Sequence, residues 1–569
     1  MIYNVLKEKL KTKIFGGFLD TLKVIFLGGV GEIGKNITAF EYKNDIIVVD
    51  CGSAFPSIDM PGVDLVIPDV SYLIDNIHKV KGFFLTHGHE DHIGGLPYIL
   101  KQFGIRVPIY ASNITLALLE HKFKEHKLDD VNVNVVKKNS VIKAGEFTVE
   151  FIKVSHSISG SFALYIECPA ARVFHTGDFK VDYTPIDGEM IDLRRIAEIG
   201  KKGVTLMLSE STNIERPGYS MSESTVGKYL YNYFAQNAGR RLIVATFASN
   251  IHRIQQIIDL AQKFGRKVAF SGRSMLNVLE AASKIGEIRY DKNLIVDLEK
   301  TKKIDEDKLV IITTGSQGEP MSALTRMASG EFNKVKITAN DTVIISASPI
   351  PGNEKLVYNV INNLYEKGAK VIYEDLADVH VSGHAFREEL KLMYLLVKPK
   401  YFIPVHGEIR HLKQHMEMIA DLGHNPNLML MPKIGDRIEI CSKFIKRAES
   451  VSAGNVLVDG AGIGDVGAEV LRDRRHLSED GMLLVIMGIE QGGEVSSIDV
   501  ITRGFIYAKE SADLIEEIKQ VSINSVNGID LKLQIDREIL KNNIRKNLRN
   551  FLNKKIKRSP MILPIIIEN

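Results

Sequence analysis

Short apolar runs bounded by polar or turn residues dominate the start of the chain, and each reads as a β-strand. Val24–Leu27, Ile46–Asp50, Phe83–Thr86 and Val107–Tyr110 come first, followed by Phe147–Val154, Phe162–Cys168 and Arg172–His175. Pro108 has no N–H to give to a ladder, which makes Val107–Tyr110 an edge strand at best. Helical spacing runs over Ile114–His126. Strand pairs mixed with helices predict sheets covered by helices. From about Ser222 the pattern becomes a regular alternation. Helix Glu223–Gln236, strand Leu242–Thr246, helix Ile251–Phe264 and strand Val268–Ser271 lead to strands Leu309–Thr313 and Thr342–Ile345, helix Glu354–Lys367 and strand Val371–Tyr373. This predicts a parallel α/β domain that ends near Asp378. A third unit begins near Val456, with strand Leu483–Gly488, helices over Ala512–Val521 and Ile535–Phe551, and a last strand Ile562–Ile567.

Composition adds limits. The chain has 569 residues, enough for three or more domains at about 100–200 residues each. It is 45% hydrophobic and 25% charged, as a globular protein with a large core would be. A net charge of +3 does not announce a nucleic-acid binder, so any such argument must come from local sites. The three cysteines, Cys51, Cys168 and Cys441, are scattered and odd in number, which fits a reducing compartment and no disulfide framework. No segment has the apolar run of a signal peptide or a membrane span, so the expected location is the cytoplasm, away from membranes.

Gly29-Val30-Gly31-Glu32-Ile33-Gly34 matches the dinucleotide fingerprint G-x-G-x-x-G. That fingerprint needs a helix to start in the loop. Here Ile37–Tyr42, a polar Lys43-Asn44-Asp45 turn and Ile46–Asp50 follow, which is a hairpin pattern. The glycines read better as a tight turn beside an active site.

The strongest chemical signal is Thr86-His87-Gly88-His89-Glu90-Asp91-His92, at the end of an apolar strand. One histidine would more often be structural. An H-x-H-x-D-H cluster brings imidazole and carboxylate donors suited to zinc or manganese into a small volume. Four donors cannot complete two metal sites, and further candidates follow other strands: His156, Asp178 in His175-Thr176-Gly177-Asp178, and His406 in Pro404-Val405-His406-Gly407-Glu408. Two metals about 3.5–4 Å apart activate water and stabilise charge on a phosphoryl oxygen. That chemistry suits a phosphodiester, but also a lactam or thioester.

The ordered set of Asp50, the His87–His92 cluster, His156, Asp178 and His406 resembles the metallo-β-lactamase superfamily. The block from about Ser222 to Asp378 resembles a β-CASP insertion, whose marker motifs match Glu210, His384 in His380-Val381-Ser382-Gly383-His384, and His406. FLGGVGEIGKN, THGHEDHIGGLPY, HTGDFK, ATFASNIHR, TTGSQGEPM, SPIPGN, PVHGE and RSPMILPIIIE are similar to bacterial ribonuclease J over nearly the whole chain.

The resemblance implies an αββα metallo-β-lactamase sandwich in two parts, 1–221 and 379–450, around a β-CASP domain at 222–378, with a small α/β C-terminal domain at 451–569. Residues 1–20 form an extra segment with no assigned role. The resemblance also implies a 5′→3′ exoribonuclease with endonuclease activity, acting in RNA decay and in rRNA and mRNA maturation. Two zinc ions, or manganese, would be held by His87, His89 and His156 on one side and by Asp91, His92 and His406 on the other, with Asp178 bridging. Asp50 and His175 would orient ligands, and Asp91, Glu210 and His384 would be catalytic. Ser249, Asn250, Ile251 and His380 to His384 would bind single-stranded RNA with a 5′-monophosphate. A homodimer or homotetramer, and a place in an RNA-degrading complex, are further expectations. Glu210 departs from the aspartate common in the family.

Two other readings compete. A small-ester or lactam hydrolase leaves the insertion and HVSGH unexplained. A metal-binding scaffold in an RNA-degrading complex sits poorly with a full ligand set. The Lys541–Arg558 stretch, with eight basic residues and no acids, reads either as a solvated helix face or as an auxiliary RNA contact.

Overall fold

The computed structural model describes residues 20–57, 59–104, 106–319, 321–349, 353–373, 381–490, 494–507, 511–526 and 537–568. The N-terminal 1–19 segment, Asp378 and His380 lie outside these. Two compact units are present. One runs to Ala54 and from Ile67 to Asn455; the other holds Phe55–Val66 and everything from Val456 onward.

Two sheets make the centre of the first unit. The larger has the order Ile445–Arg447, Arg437–Ile440, Leu22–Gly28, Ile37–Tyr42, Asp45–Val49, Val80–Phe84, Ile109–Ala111, Val133–Val135. The smaller has the order Tyr401–Val405, Leu206–Glu210, Ala171–His175, Phe162–Cys168, Phe147–Lys153, Val141–Ala144. Their facing sides share one core, in which Phe26, Phe40 and Phe84 meet Phe151, Leu164 and Val173. Helices Leu96–Phe103 and Asn113–Glu125 cover the outer face of the first sheet. Leu193–Lys202, Arg387–Val397 and Ile409–Asp421 cover the second. This is the αββα sandwich.

Pro108 demands a correction. The strand it was expected to push to an edge, Ile109–Ala111, is interior and pairs in parallel with strands on both sides. The strand begins after the proline, so the missing N–H is never asked for, and the Pro108 carbonyl accepts from Phe83 N–H at 2.9 Å.

The block from Glu223 onward is a five-stranded, all-parallel sheet in the order Lys267–Ser271, Leu309–Thr313, Arg241–Ala245, Asp341–Ile345, Lys370–Ile372. Glu223–Gln236, Ile251–Lys263 and Arg273–Lys284 pack on one face, and Ala323–Ser329 and Glu354–Glu366 on the other. Burial on both faces explains why its strands read as continuous apolar runs.

In the second unit, strands Val495–Arg503, Met482–Ile489 and Met561–Glu568 form a sheet with Met482–Ile489 in the middle. Leu483, Val485 and Met487 pack against Leu540, Ile544 and Leu548 of helix Arg537–Ile556. Phe55–Val66, which by sequence position falls inside the first domain, belongs here: Asp64 N–H donates to Val458 O at 2.9 Å, and Arg475 pairs with Asp59.

Two features of sheet register matter for chemistry. Leu206–Glu210 lies in parallel between Ala171–His175 and Tyr401–Val405, so the residues that follow all three strands emerge side by side. Asp45–Val49 is parallel to Val80–Phe84 with Val49 opposite Phe84, so Asp50 sits beside the start of the histidine cluster.

Candidate metal centre and active site

The loop after Val80–Phe84 is anchored by Asp50. Its Oδ1 accepts from Thr86 N–H at 2.7 Å, and its Oδ2 accepts from Thr86 Oγ at 2.8 Å and from His92 Nδ1 at 2.7 Å. The carboxylate therefore fixes both the backbone and the tautomer of His92, turning Nε2 toward Asp178 Oδ2 at 3.1 Å.

His87, His89 and His156 converge. His89 Nδ1 lies 3.0 Å from His87 Nε2 and 3.0 Å from His156 Nε2. His156 Nδ1–H donates to the Gly383 carbonyl at 2.6 Å, so its inward Nε2 carries a lone pair. Burial holds all three rings below the ordinary imidazole range, His89 to about 4, and neighbouring imidazoles add to this for His87 and His156. Neutral imidazoles have a lone pair free to give to a cation, and three converging on one point are the donor set of a metal site.

Asp91, His92, Asp178 and His406 form a second group, with one donor atom from each within 4.8 Å of the others. Asp178 lies between the groups: its Oδ2 is 3.7 Å from His87 Nε2 and 3.9 Å from His156 Nε2, and its Oδ1 is 2.8 Å from His406 Nδ1. Burial works against charge on Asp178, but His406 and His92 outweigh it and hold the carboxyl well below its usual range. Burial likewise opposes protonation of His406, yet Asp178 and Asp91 push its pKa up to about 10. Among the described residues, the ion-pair partners of Asp91 and Asp178 are all histidines. His406 Nε2 is buried 3.2 Å from Asp91 Oδ2 yet makes no hydrogen bond. An imidazole whose two nitrogens face two carboxylates, with no lysine or arginine paired to either among the described residues, fits a divalent cation, so this donor set suits metal binding.

The glycine turn supports this centre. Gly29 O accepts from His406 N–H at 2.7 Å, and Gly31 and Glu32 pair with Glu408 and Gly407. His406 holds a left-handed backbone at φ 50°, as does Asp50 at φ 59°. A strand, not a helix, follows the turn, in keeping with a role in the active-site frame. His175 acts one step back from the metal-ligand candidates: its Nδ1 accepts from Gly177 N–H at 3.0 Å and steadies the turn that delivers Asp178. A Cβ on Gly177 would lie 2.7 Å from Phe162 O, so the turn needs glycine.

Beside this centre, His384 Nδ1 is 2.8 Å from Glu210 Oε2 and 3.8 Å from Asp178 Oδ2. Glu210 Oε1 accepts from Phe179 N–H at 2.8 Å, so one carboxylate ties His384 to the residue after Asp178. Burial resists a charge on the ring, but Glu210 and then Asp178 raise its pKa above the ordinary value.

The expected substrate residues divide. Asn250 is largely buried and spends its side-chain oxygen on capping helix Ile251–Lys263, accepting from Arg253 N–H at 3.1 Å. Ile251 is 1% exposed in the insertion core, and its N–H donates to Ser249 O. Val381 is buried in the same core. Gly383 uses its carbonyl on His156. Ser249 and Ser382 remain partly exposed, and His384 is 22% exposed at its side chain. Sequence reasoning missed Asn36, whose Nδ2 donates to Asp91 O at 3.1 Å, and Asn213, whose Nδ2 donates to Ser382 Oγ at 2.7 Å. It also missed Glu389, a fully buried carboxylate with four donors. Glu389 had one local signal: it stands three residues after Phe386 at a helix start and accepts from the Phe386 N–H, half of a capping box.

Comparison with known proteins places this geometry. Residues 30–189 match the metallo-beta-lactamase superfamily, 239–364 the ribonuclease J beta-CASP domain, 368–429 the Zn-dependent metallo-hydrolase RNA specificity domain, and 469–569 the ribonuclease J C-terminal domain. Ribonuclease J of Thermus thermophilus is 43% identical over 560 residues, covering 97% of this chain and 96% of that protein. Ribonuclease J2 of Bacillus subtilis is 42% identical over 552 residues, covering 96% and 99%. A crystal structure of a protein of unknown function from Enterococcus faecalis V583 has a TM-score of 0.53 at 18% identity, over 74% of this chain and 100% of that one, a likeness of fold alone. With this identity spread over nearly the full length and every domain matched, the chain belongs to the ribonuclease J family.

Proposed function

We propose that this protein is a metal-dependent RNA hydrolase that degrades single-stranded RNA 5′→3′ from a monophosphorylated end and also cuts internally. The carrying observation is His384, fixed by Glu210 at 2.8 Å next to the converging metal-ligand candidates and within 3.8 Å of Asp178. His87, His89 and His156 would hold one divalent cation, Asp91, His92 and His406 the other, and Asp178 both; zinc is the proposed ion, with manganese the alternative. When bound, two such cations activate water and offset charge building on a phosphoryl oxygen.

The chain's own groups supply the rest. The leaving 3′-oxygen needs a proton, and His384 is the donor. Glu210 keeps that ring oriented and favours its charged form. Ser249 and Ser382 offer hydroxyls to phosphate oxygens. The insertion supplies the first through the Thr246–Asn250 loop, which follows the central strand Arg241–Ala245 of a parallel sheet, where ligands of such sheets commonly sit.

The domain boundaries proposed are 1–221, without Phe55–Val66, and 379–450 for the metal domain, 222–378 for the insertion, and 451–569 for the C-terminal domain, which Phe55–Val66 joins. A homodimer or homotetramer in the cytoplasm, acting in RNA decay and maturation with or without a larger degrading complex, completes the reading. No described helix is long and apolar enough to cross a membrane.

The test is cleavage of 5′-monophosphorylated RNA, labelled at either end, by protein loaded with zinc or manganese. Mononucleotides released from the 5′ end support the exonuclease and internal fragments the endonuclease. Intact RNA with fully loaded protein refutes both.

A further inference from the structure

Ser382 Oγ accepts two hydrogen bonds from groups that can only donate. One is from Asn213 Nδ2 at 2.7 Å and the other from His384 N–H at 3.1 Å. The orientation of the Asn213 amide is fixed by a second partner, since Nδ2 also lies 3.4 Å from the His384 carbonyl, an acceptor. Asn213 is itself held: it bridges in parallel to Phe386, and its carbonyl accepts from Arg216 N–H at 3.0 Å.

A serine oxygen has two lone pairs and one proton. With both lone pairs engaged, the proton has to point away from Asn213 and from the His384 backbone. Among the described residues no acceptor takes it, and Ser382 is partly exposed. The hydroxyl is thus preset as a donor before anything binds, and it need not reorganise when an acceptor arrives.

We propose that Asn213 is a positioning residue for substrate specificity: it locks Ser382 into donor polarity, so that this position accepts only an acceptor group, a phosphate oxygen of the RNA backbone or its 5′ end. This rests on the reading that Ser382 faces substrate. It predicts that polarity matters more than volume at residue 213. Asn213→Asp is nearly isosteric but presents an acceptor, to which the Ser382 proton would turn, leaving a lone pair toward the phosphate.

The test is a double-mutant cycle on metal-loaded protein with a 5′-monophosphorylated oligoribonucleotide, reading KM, kcat and metal content. Loss of a hydrogen bond to a charged group is worth about tenfold or more in binding. Ser382→Ala and Asn213→Asp should each raise KM about tenfold or more, with kcat and metal content changing far less. The double variant should be within about twofold of Ser382→Ala, because Asn213 acts only through that hydroxyl. If Ser382→Ala raises KM and Asn213→Asp does not, the polarity lock is wrong while the site reading stands. If Ser382→Ala leaves KM unchanged, the site reading fails and takes the lock with it. Losses that multiply in the double variant also overturn it, since Asn213 would then act elsewhere. Should Asn213→Asp lose metal, Asn213→Ala takes its place in the cycle, and coupling to Ser382 is again required.

Discussion

Glu389→Gln tests the join between the insertion and the metal domain. The native carboxylate is fully buried and accepts from Val181 N–H at 2.7 Å and Ser220 Oγ at 2.8 Å on Oε1, and from Ser220 N–H at 2.8 Å and Phe386 N–H at 2.7 Å on Oε2. It therefore ties together the segment after Asp178, the segment leading into the insertion, and the segment after His384. A glutamine can offer its oxygen to only one pair. Turning its NH2 toward Ser220 N–H and Phe386 N–H would orphan two donors. Turning it toward Val181 and Ser220 Oγ orphans one, because the hydroxyl can rotate and accept, so this orientation should win. A buried N–H without a partner costs about 1–3 kcal/mol, and the two bonds kept would each weaken by about 1 kcal/mol on losing charge assistance. Relief from burying a charge offsets part of this. The net is about 2–4 kcal/mol of local stability. Global unfolding of a multidomain chain is not two-state, so the assay is hydrogen exchange on peptides covering Val181, Ser220 and Phe386. Exchange there should quicken by about 30- to 700-fold, following that free energy, and RNA cleavage should slow because Val181, three residues after Asp178, loses its anchor. Unchanged exchange at all three segments would refute the reasoning.

Metal analysis gives the next prediction: His87→Ala should disturb one cation, His92→Ala the other and Asp178→Ala both, and full metal content in Asp178→Ala would rule out a shared ligand. His384→Ala should slow cleavage about 10²–10⁴-fold, the range for a general acid, with metal content retained; collapse of metal content would make His384 a ligand instead. Ser249→Ala combined with Ser382→Ala should lower the ratio of cleavage rates for 5′-monophosphate over 5′-hydroxyl RNA, and an unchanged ratio would move the phosphate pocket elsewhere.

Periodicity alone determined much of this protein. Strands Phe162–Cys168 and Leu309–Thr313 and helix Glu223–Gln236 occupy the residues that their local patterns mark, because each buries a face that repeats within the segment itself. The H-x-H-x-D-H spacing was legible for the same reason: its donors are neighbours in the chain, as they are around His92. Tertiary structure decided the remainder. Pro108 looked like an edge marker until the strand start fell one residue later. Phe55–Val66 looked like part of the first domain, but its partners, Val458 and Arg475, lie about 400 residues on. Gly383 orients His156 across 227 residues, Asn213 reaches Ser382 across 169, and Glu389 reaches Val181 across 208. A glycine carbonyl, an asparagine amide and a helix-start glutamate have no periodic signature, and each acquired its role only when parallel strand pairing brought the ends of distant strands together.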